Sequence, residues 1–280
     1  MMLFRYRRPR APLSVFIESI WICRNDPRPF ALERILPTGA AQLIVNLQED
    51  QIRRYQPDCG HRCDTTSGTV LAGVQSSYGV IDTDEQEYVL GVSFRPGGTL
   101  PFVRIPACET QDADVPLDLL WDRRAAATLR ERLLECRGLE ATLDAMEQVL
   151  MEMRRPVEPH PAVAFALDMF ARQPCVIRVG AVTDRIGLSP KRFIERFKSE
   201  VGLTPKRYCR ILRFQQALAS AHHGHRVDWA QLALDCGYHD QAHLAHDFRG
   251  FSGLSPTEYQ VAQTEFRNHV KFLQDEAPGL

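Results

Sequence analysis

Two stretches near the C-terminal end share their punctuation but not their polar residues: GLSPKRFIERFKSEVGLTPKRY (187–208) and GYHDQAHLAHDFRGFSGLSPTEY (237–259). Each opens on a glycine, Gly187 or Gly237, which can take the positive φ needed just past a helix end. A helix start follows, marked by Ser189-Pro190 in the first copy and by His239 or Asp240 in the second. Phe193 and Phe197, or Leu244 and Phe248, recur at helical spacing and predict a buried stripe. Each copy stops at a second glycine, Gly202 or Gly253, and restarts at Thr204-Pro205 or Ser255-Pro256, with Tyr208 or Tyr259 three residues beyond the proline. Ahead of each copy, Ile177, Val179, Val182 and Ile186, or Val227, Trp229, Leu232 and Cys236, form one apolar helical face. Helix, glycine turn, helix, written twice, is a doubled helix-turn-helix. The spacing between copies grows from 50 at the opening glycines to 51 at the phenylalanines, so the second turn holds one more residue.

The core positions agree while the outward ones diverge. Copy one presents Lys191, Arg192, Glu195, Arg196 and Lys198; copy two presents Gln241, His243, His246, Asp247 and Arg249. Divergence of this kind is expected of two helices that face different base sequences, because hydrogen-bonding side chains read base edges in the major groove. A plain solvated surface also diverges, so the doubling carries the argument. The linker PKRYCRILRFQQALASA (205–221) is basic. At about 1.5 Å per residue it spans roughly 25 Å, against the roughly 34 Å of one DNA turn.

Residues 177–260 resemble the DNA-binding domain of the AraC/XylS family of bacterial transcription regulators. The resemblance implies one polypeptide inserting two recognition helices, about 189–200 and 240–251, into adjacent major grooves. Base-facing positions then fall on Lys191, Arg192, Ile194 and Glu195, and on Gln241, Ala242, His243 and His246. Phosphate contacts, which fix register without reading sequence, are expected from Arg178, Arg196, Lys198, Lys206, Arg207 and Arg249. Glu195 stands where many members carry arginine, and is suited to accept from a cytosine amino group or to orient Arg192.

Charge supports this division. Residues 160–262 hold 13 Lys and Arg against 9 Asp and Glu, whereas residues 1–159 hold 19 against 23, which places any polyanion contact in the C-terminal part. The first hundred residues read as short strands: ERILPTGAAQLIVNL, GTVLAGVQSSYGVIDT and EYVLGVSFRP are broken by Gly, Pro and Asp turns. Two amphipathic helices follow, through Leu117, Leu119, Leu120, Ala125, Leu129, Leu133 and Leu134, then Leu143, Met146, Leu150 and Met153. The prolines of RRPVEPHP (154–161) mark a boundary. The expected fold is therefore α+β in two domains. Residues 1–155 form a β-barrel with two helices, and its runs resemble the cupin-like sensory and dimerisation domain that precedes the DNA-binding module in one subgroup. Residues 160–262 form the all-α DNA-binding domain, and residues 263–280 a tail expected to fray.

Other chemistry is thinly supported. Tyr78, Phe94 and Arg95 are the candidates for an effector site, Arg95 through its charge beside the glycines of FRPGG. Cys59, His61 and Cys63 share a face if extended, and an alternative reading makes Cys59 and Cys63 reactive thiols of a DNA-binding repair or redox-sensing protein. His239, His243 and His246 share a helical face without a fourth metal ligand. His61 is the sole histidine before His160, too few for a cupin metal centre, and no phosphate-binding glycine loop or nucleophile elbow occurs. The expectation is a non-enzyme without metal or cofactor. Its partner is double-stranded promoter or operator DNA, joined by RNA polymerase, a small-molecule effector and a second copy of the chain. Glu18 interrupts the only candidate leader, and no apolar run reaches membrane-spanning length. Eight cysteines without framework spacing fit a reducing compartment, so the expected location is the cytoplasm, with no membrane contact.

Overall fold

The computed structural model describes residues 3–25, 31–56, 62–84, 87–175, 179–222 and 227–272. Its N-terminal strands are β1 (Leu3–Arg7), β2 (Ile17–Arg24), β3 (Leu32–Ile35), β4 (Gln42–Asn46), β5 (Gln51–Tyr55), β6 (Cys63–Ser67), β7 (Thr69–Ala72), β8 (Gly79–Asp82), β9 (Tyr88–Phe94) and β10 (Asp114–Pro116). One antiparallel sheet has the order β1-β2-β9-β4-β7-β10. Its inner face follows from period-2 alternation: Leu90, Val92 and Phe94 of β9 are buried with Leu43 and Val45 of β4 and Ile20 and Ile22 of β2. The second sheet contains β3-β8-β5-β6.

Two helices cover the first sheet. Asp122 caps α1 (Arg123–Leu134), its carboxylate accepting from the backbone N–H groups of Arg124 and Ala125. The second, α2 (Leu139–Met153), buries Leu143, Met146 and Leu150. The expected helical face starts too early: residues 117–119 form a 3-10 turn and Leu119 is 71% exposed. The helix begins only where Asp122 supplies a cap.

The C-terminal domain comprises α3 (Pro161–Arg172), α4 (Val179–Thr183), α5 (Pro190–Val201), α6 (Pro205–Ala221), α7 (Trp229–Asp235), α8 (Gln241–Ser252) and α9 (Pro256–Ala262). Each expected start signal operates. The side chains of Ser189, Thr204, Asp240 and Ser255 cap α5, α6, α8 and α9, with proline at the first position of all but α8. In the second turn the choice between His239 and Asp240 falls to Asp240, three residues past its glycine, where Ser189 lies two past its own. That is the extra residue counted in the sequence.

The two units use matched aromatic cores. Phe197 lies 5.7 Å from both Phe193 and Tyr208, and Phe248 lies 5.1 Å from Phe214 and 5.9 Å from Tyr259. All six rings are at most 2% exposed. Burial contributes about 1.5–3 kcal/mol for each phenylalanine.

The tail departs from expectation. Residues 269–271 form β11 (His269–Lys271), which pairs antiparallel with β3 and completes the second sheet as β11-β3-β8-β5-β6. Flanking backbone bonds, Leu36 N–H to the Asn268 carbonyl at 2.9 Å and Phe272 N–H to the Leu32 carbonyl at 3.1 Å, extend the pairing. Val270 is fully buried, and the His269 ring sits 2.8 Å from the buried Glu33 carboxylate. A free end would leave the β3 edge open; pairing satisfies it, so this part of the tail is held.

Candidate nucleic-acid interface

The caps and cores fix which side chains of α5 and α8 face outward. With Phe193 and Phe197 buried, α5 exposes Lys191, Arg192, Ile194, Glu195, Arg196 and Lys198. Glu195 and Arg192 line a surface cleft of about 500 Å³ together with His160, Leu188, Arg196 and Ser199. Arg196 also pairs at 3.9 Å with Glu200, one turn on. Glu200 is buried, and its carboxyl is pushed above the ordinary range by burial, opposed by the His160 N–H it accepts.

On α8, Gln241, Ala242, His246 and Arg249 are exposed and His243 is half-buried. The Asp240 cap accepts from the His243 N–H at 2.8 Å, and its carboxyl is held below the ordinary range by that bond and by its bond to His239. The His243 ring stands edge-on to Tyr238, centroids 5.2 Å apart. Lys206 is exposed at the start of α6. Arg178, Cys59 and His61 lie outside the described residues.

Three expectations need correction. Asp247, read as part of the exposed face, is fully buried; its Oδ1 accepts from Arg210 of α6 at 2.6 Å. An unpaired buried carboxylate would be costly, so the linker arginine fixes α8 against α6. Arg207, expected on phosphate, is turned inward. It stacks 4.5 Å over Phe251 and donates to the Ser76 carbonyl of the N-terminal domain, and burial pulls its guanidinium below the ordinary range. The effector candidates do not converge. The Phe94 ring is in the core, 5.5 Å from Phe102. Arg95, on the opposite face of the same strand end, bonds the Ser14 carbonyl and pairs with Glu18 at 2.7 Å. Tyr78 lies at the domain junction.

Sequence reasoning missed the arginine row of α6. Arg207, Arg210 and Arg213 occur at i, i+3 and i+6, one helical face. Arg213 lies 5.2 Å over Tyr238 and donates to the Gly237 carbonyl at 3.2 Å. That spacing is the signal in the sequence, and its basic character points to phosphate instead. Among the described residues no group of three or more His, Cys, Asp or Glu could hold a metal ion. Cys63 is exposed on β6. Burial pushes the Cys209 and Cys236 thiols up, to about 12 and about 11. No helix among the described residues is long and apolar enough to cross a membrane.

Two capped helices with exposed polar faces, each preceded by a glycine turn and joined by one linker helix, form a double helix-turn-helix. Residues 182–262 match the model of a helix-turn-helix domain. Residues 5–116 match a domain of unknown function (DUF6597). No curated protein matches the chain. Among solved structures, ToxT from Vibrio cholerae is 9% identical, with 93% of this chain and 97% of that chain covered and a TM-score of 0.45. The DNA-binding domain of AdpA, solved with a target DNA, is 23% identical, with 38% and 93% covered and a TM-score of 0.33. The xylose-binding transcription activator xylR is 22% identical, with 50% and 38% covered and a TM-score of 0.34.

Proposed function

We propose that the chain reads a specific duplex sequence by inserting the N-terminal turns of α5 and α8 into adjacent major grooves, and that it regulates transcription from the sites so bound. The observation that carries this is the pairing of matched scaffolds with different outward faces: exposed Lys191, Arg192, Ile194 and Glu195 on one helix, exposed Gln241, Ala242 and His246 with half-buried His243 on the other. Arg196, Lys198, Lys206 and Arg249, exposed around these faces, serve as phosphate contacts. The N-terminal domain serves as sensor and dimerisation module; α1 and α2 leave Leu134 and Met151 exposed, 44% and 46%, which suits a second copy.

A gel-shift titration across salt concentrations tests the reading. Four phosphate contacts predict a slope of log affinity against log salt of about −3.6. Absence of any sequence-preferring complex at low salt would overturn it.

A further inference from the structure

Loop 73–78 of the N-terminal domain, between β7 and β8, meets all three parts of the DNA-binding domain. At Gly202, which ends α5, an added Cβ would lie 3.3 Å from the Val74 side chain. At Gly253, which ends α8, it would lie 2.8 Å from the Tyr78 ring. Between them, Arg207 of the linker helix α6 donates to the Ser76 carbonyl. One six-residue loop therefore touches the ends of both recognition helices and the helix that joins them.

The loop is itself anchored. Asp112 accepts from the Ser76 N–H at 2.5 Å and from its hydroxyl at 2.7 Å. On its other side, Tyr78 lies under the Arg34 guanidinium at 5.6 Å. Arg34 also covers the Phe272 ring at 4.5 Å and donates to the Lys271 carbonyl at 3.1 Å. The tail strand β11 and the loop thus grip the DNA-binding domain as one assembly. The grip is at the helix C-termini, so Lys191, Arg192 and Gln241 on the opposite ends stay exposed.

We propose that loop 73–78 sets the relative pose of the two recognition helices, and through it the spacing between the two half-sites that the protein reads. Val74, Ser76 and Tyr78 are positioning residues that do not touch DNA. The inference rests on the DNA-reading function proposed above. Its physical basis is that α6 packs into each unit separately, through Tyr208 on Phe197 and through Arg210 on Asp247, while the loop, anchored through Asp112, bridges both helix ends directly.

The test is selection from a duplex pool with a long random segment, run on the full-length wild type, Tyr78→Ala and Tyr78→Phe. The wild type is expected to enrich two half-sites at one spacing. Tyr78→Ala is expected to enrich the same half-sites with a broadened or shifted spacing, and Tyr78→Phe, which keeps the ring, to restore the wild-type spacing. An unchanged spacing in Tyr78→Ala overturns the proposal. So does loss of the half-sites themselves in a variant whose circular dichroism and melting match the wild type. Should Tyr78→Ala fail to fold, Arg207→Met, which keeps an apolar stem on Phe251 and removes the bond to Ser76, is judged by the same criteria. If the wild type enriches no sequence, the DNA-reading function fails, and this inference with it.

Discussion

The opening glycines of the two turns repeat in sequence but stand in different surroundings, which yields an unequal pair of substitutions. Gly187 has φ +68° and Gly237 has φ +72°, so alanine at either enters the left-handed region at a cost of about 1–2 kcal/mol. Beyond that they part. A Cβ at Gly187 meets nothing within 4 Å, whereas at Gly237 it collides with the Cys175 carbonyl oxygen and lies 3.0 Å from the carbonyl carbon. Those are backbone atoms of the segment leading into the first unit, and they cannot rotate away. Overpacking of this kind adds about 1–3 kcal/mol. Gly187→Ala should therefore lose about 1–2 kcal/mol and Gly237→Ala about 2–5 kcal/mol. Urea unfolding followed by helical circular dichroism measures both; at matched slopes the midpoints report stability directly. Equal losses, or a larger loss for Gly187→Ala, would refute the claim that the second turn is pressed onto the lead-in segment of the first unit.

Three further outcomes are expected. Gln241→Ala should relax specificity at one base pair by about 1–3 kcal/mol, while Arg249→Ala should weaken all sequences alike and reduce the salt slope by about 1; competition gel shifts with point-substituted duplexes separate the two. Glu200 has its folded-state carboxyl raised above the unfolded value of about 4.3, so its stabilising contribution is complete below that value and lost as pH rises through the folded one. Glu200→Gln should accordingly match or exceed the wild type in melting temperature near neutral pH, the gap closing in acid; a gap that widens on acidification contradicts the sign. Thiol labelling of the native protein should modify exposed Cys63 well before Cys209 and Cys236, whose thiols burial pushes up to about 12 and about 11; early labelling of Cys209 would mean that α6 is not packed as described.

Much of the candidate site is legible in the sequence because its signals are local. Ser189, Thr204 and Ser255 cap their helices through their own side chains, and each is followed by proline. Glycine at a positive φ and phenylalanine at helical spacing depend on neighbours within a few residues. The errors concern residues whose fate is set by distant partners. Asp247 looks like a solvated acid until Arg210, 37 positions earlier, is seen to pair with it. Arg207 looks like a phosphate contact until the Ser76 carbonyl, 131 positions away, is seen to accept from it. Tyr78, Phe94 and Arg95 have the chemistry of a pocket, but strand alternation sends Phe94 and Arg95 to opposite faces.

The sequence by itself determined the doubled scaffold, the helix starts and stops, the buried phenylalanines and the one-residue difference between the two turns. These follow from capping, φ preferences and periodicity, all of which act over a turn or two of chain. Only the tertiary structure decided that the tail closes as β11 on β3, that the α6 arginines serve packing as much as charge, and that loop 73–78 meets both recognition helices. Those outcomes depend on which surfaces two domains bring together, and no interval along the chain encodes that meeting.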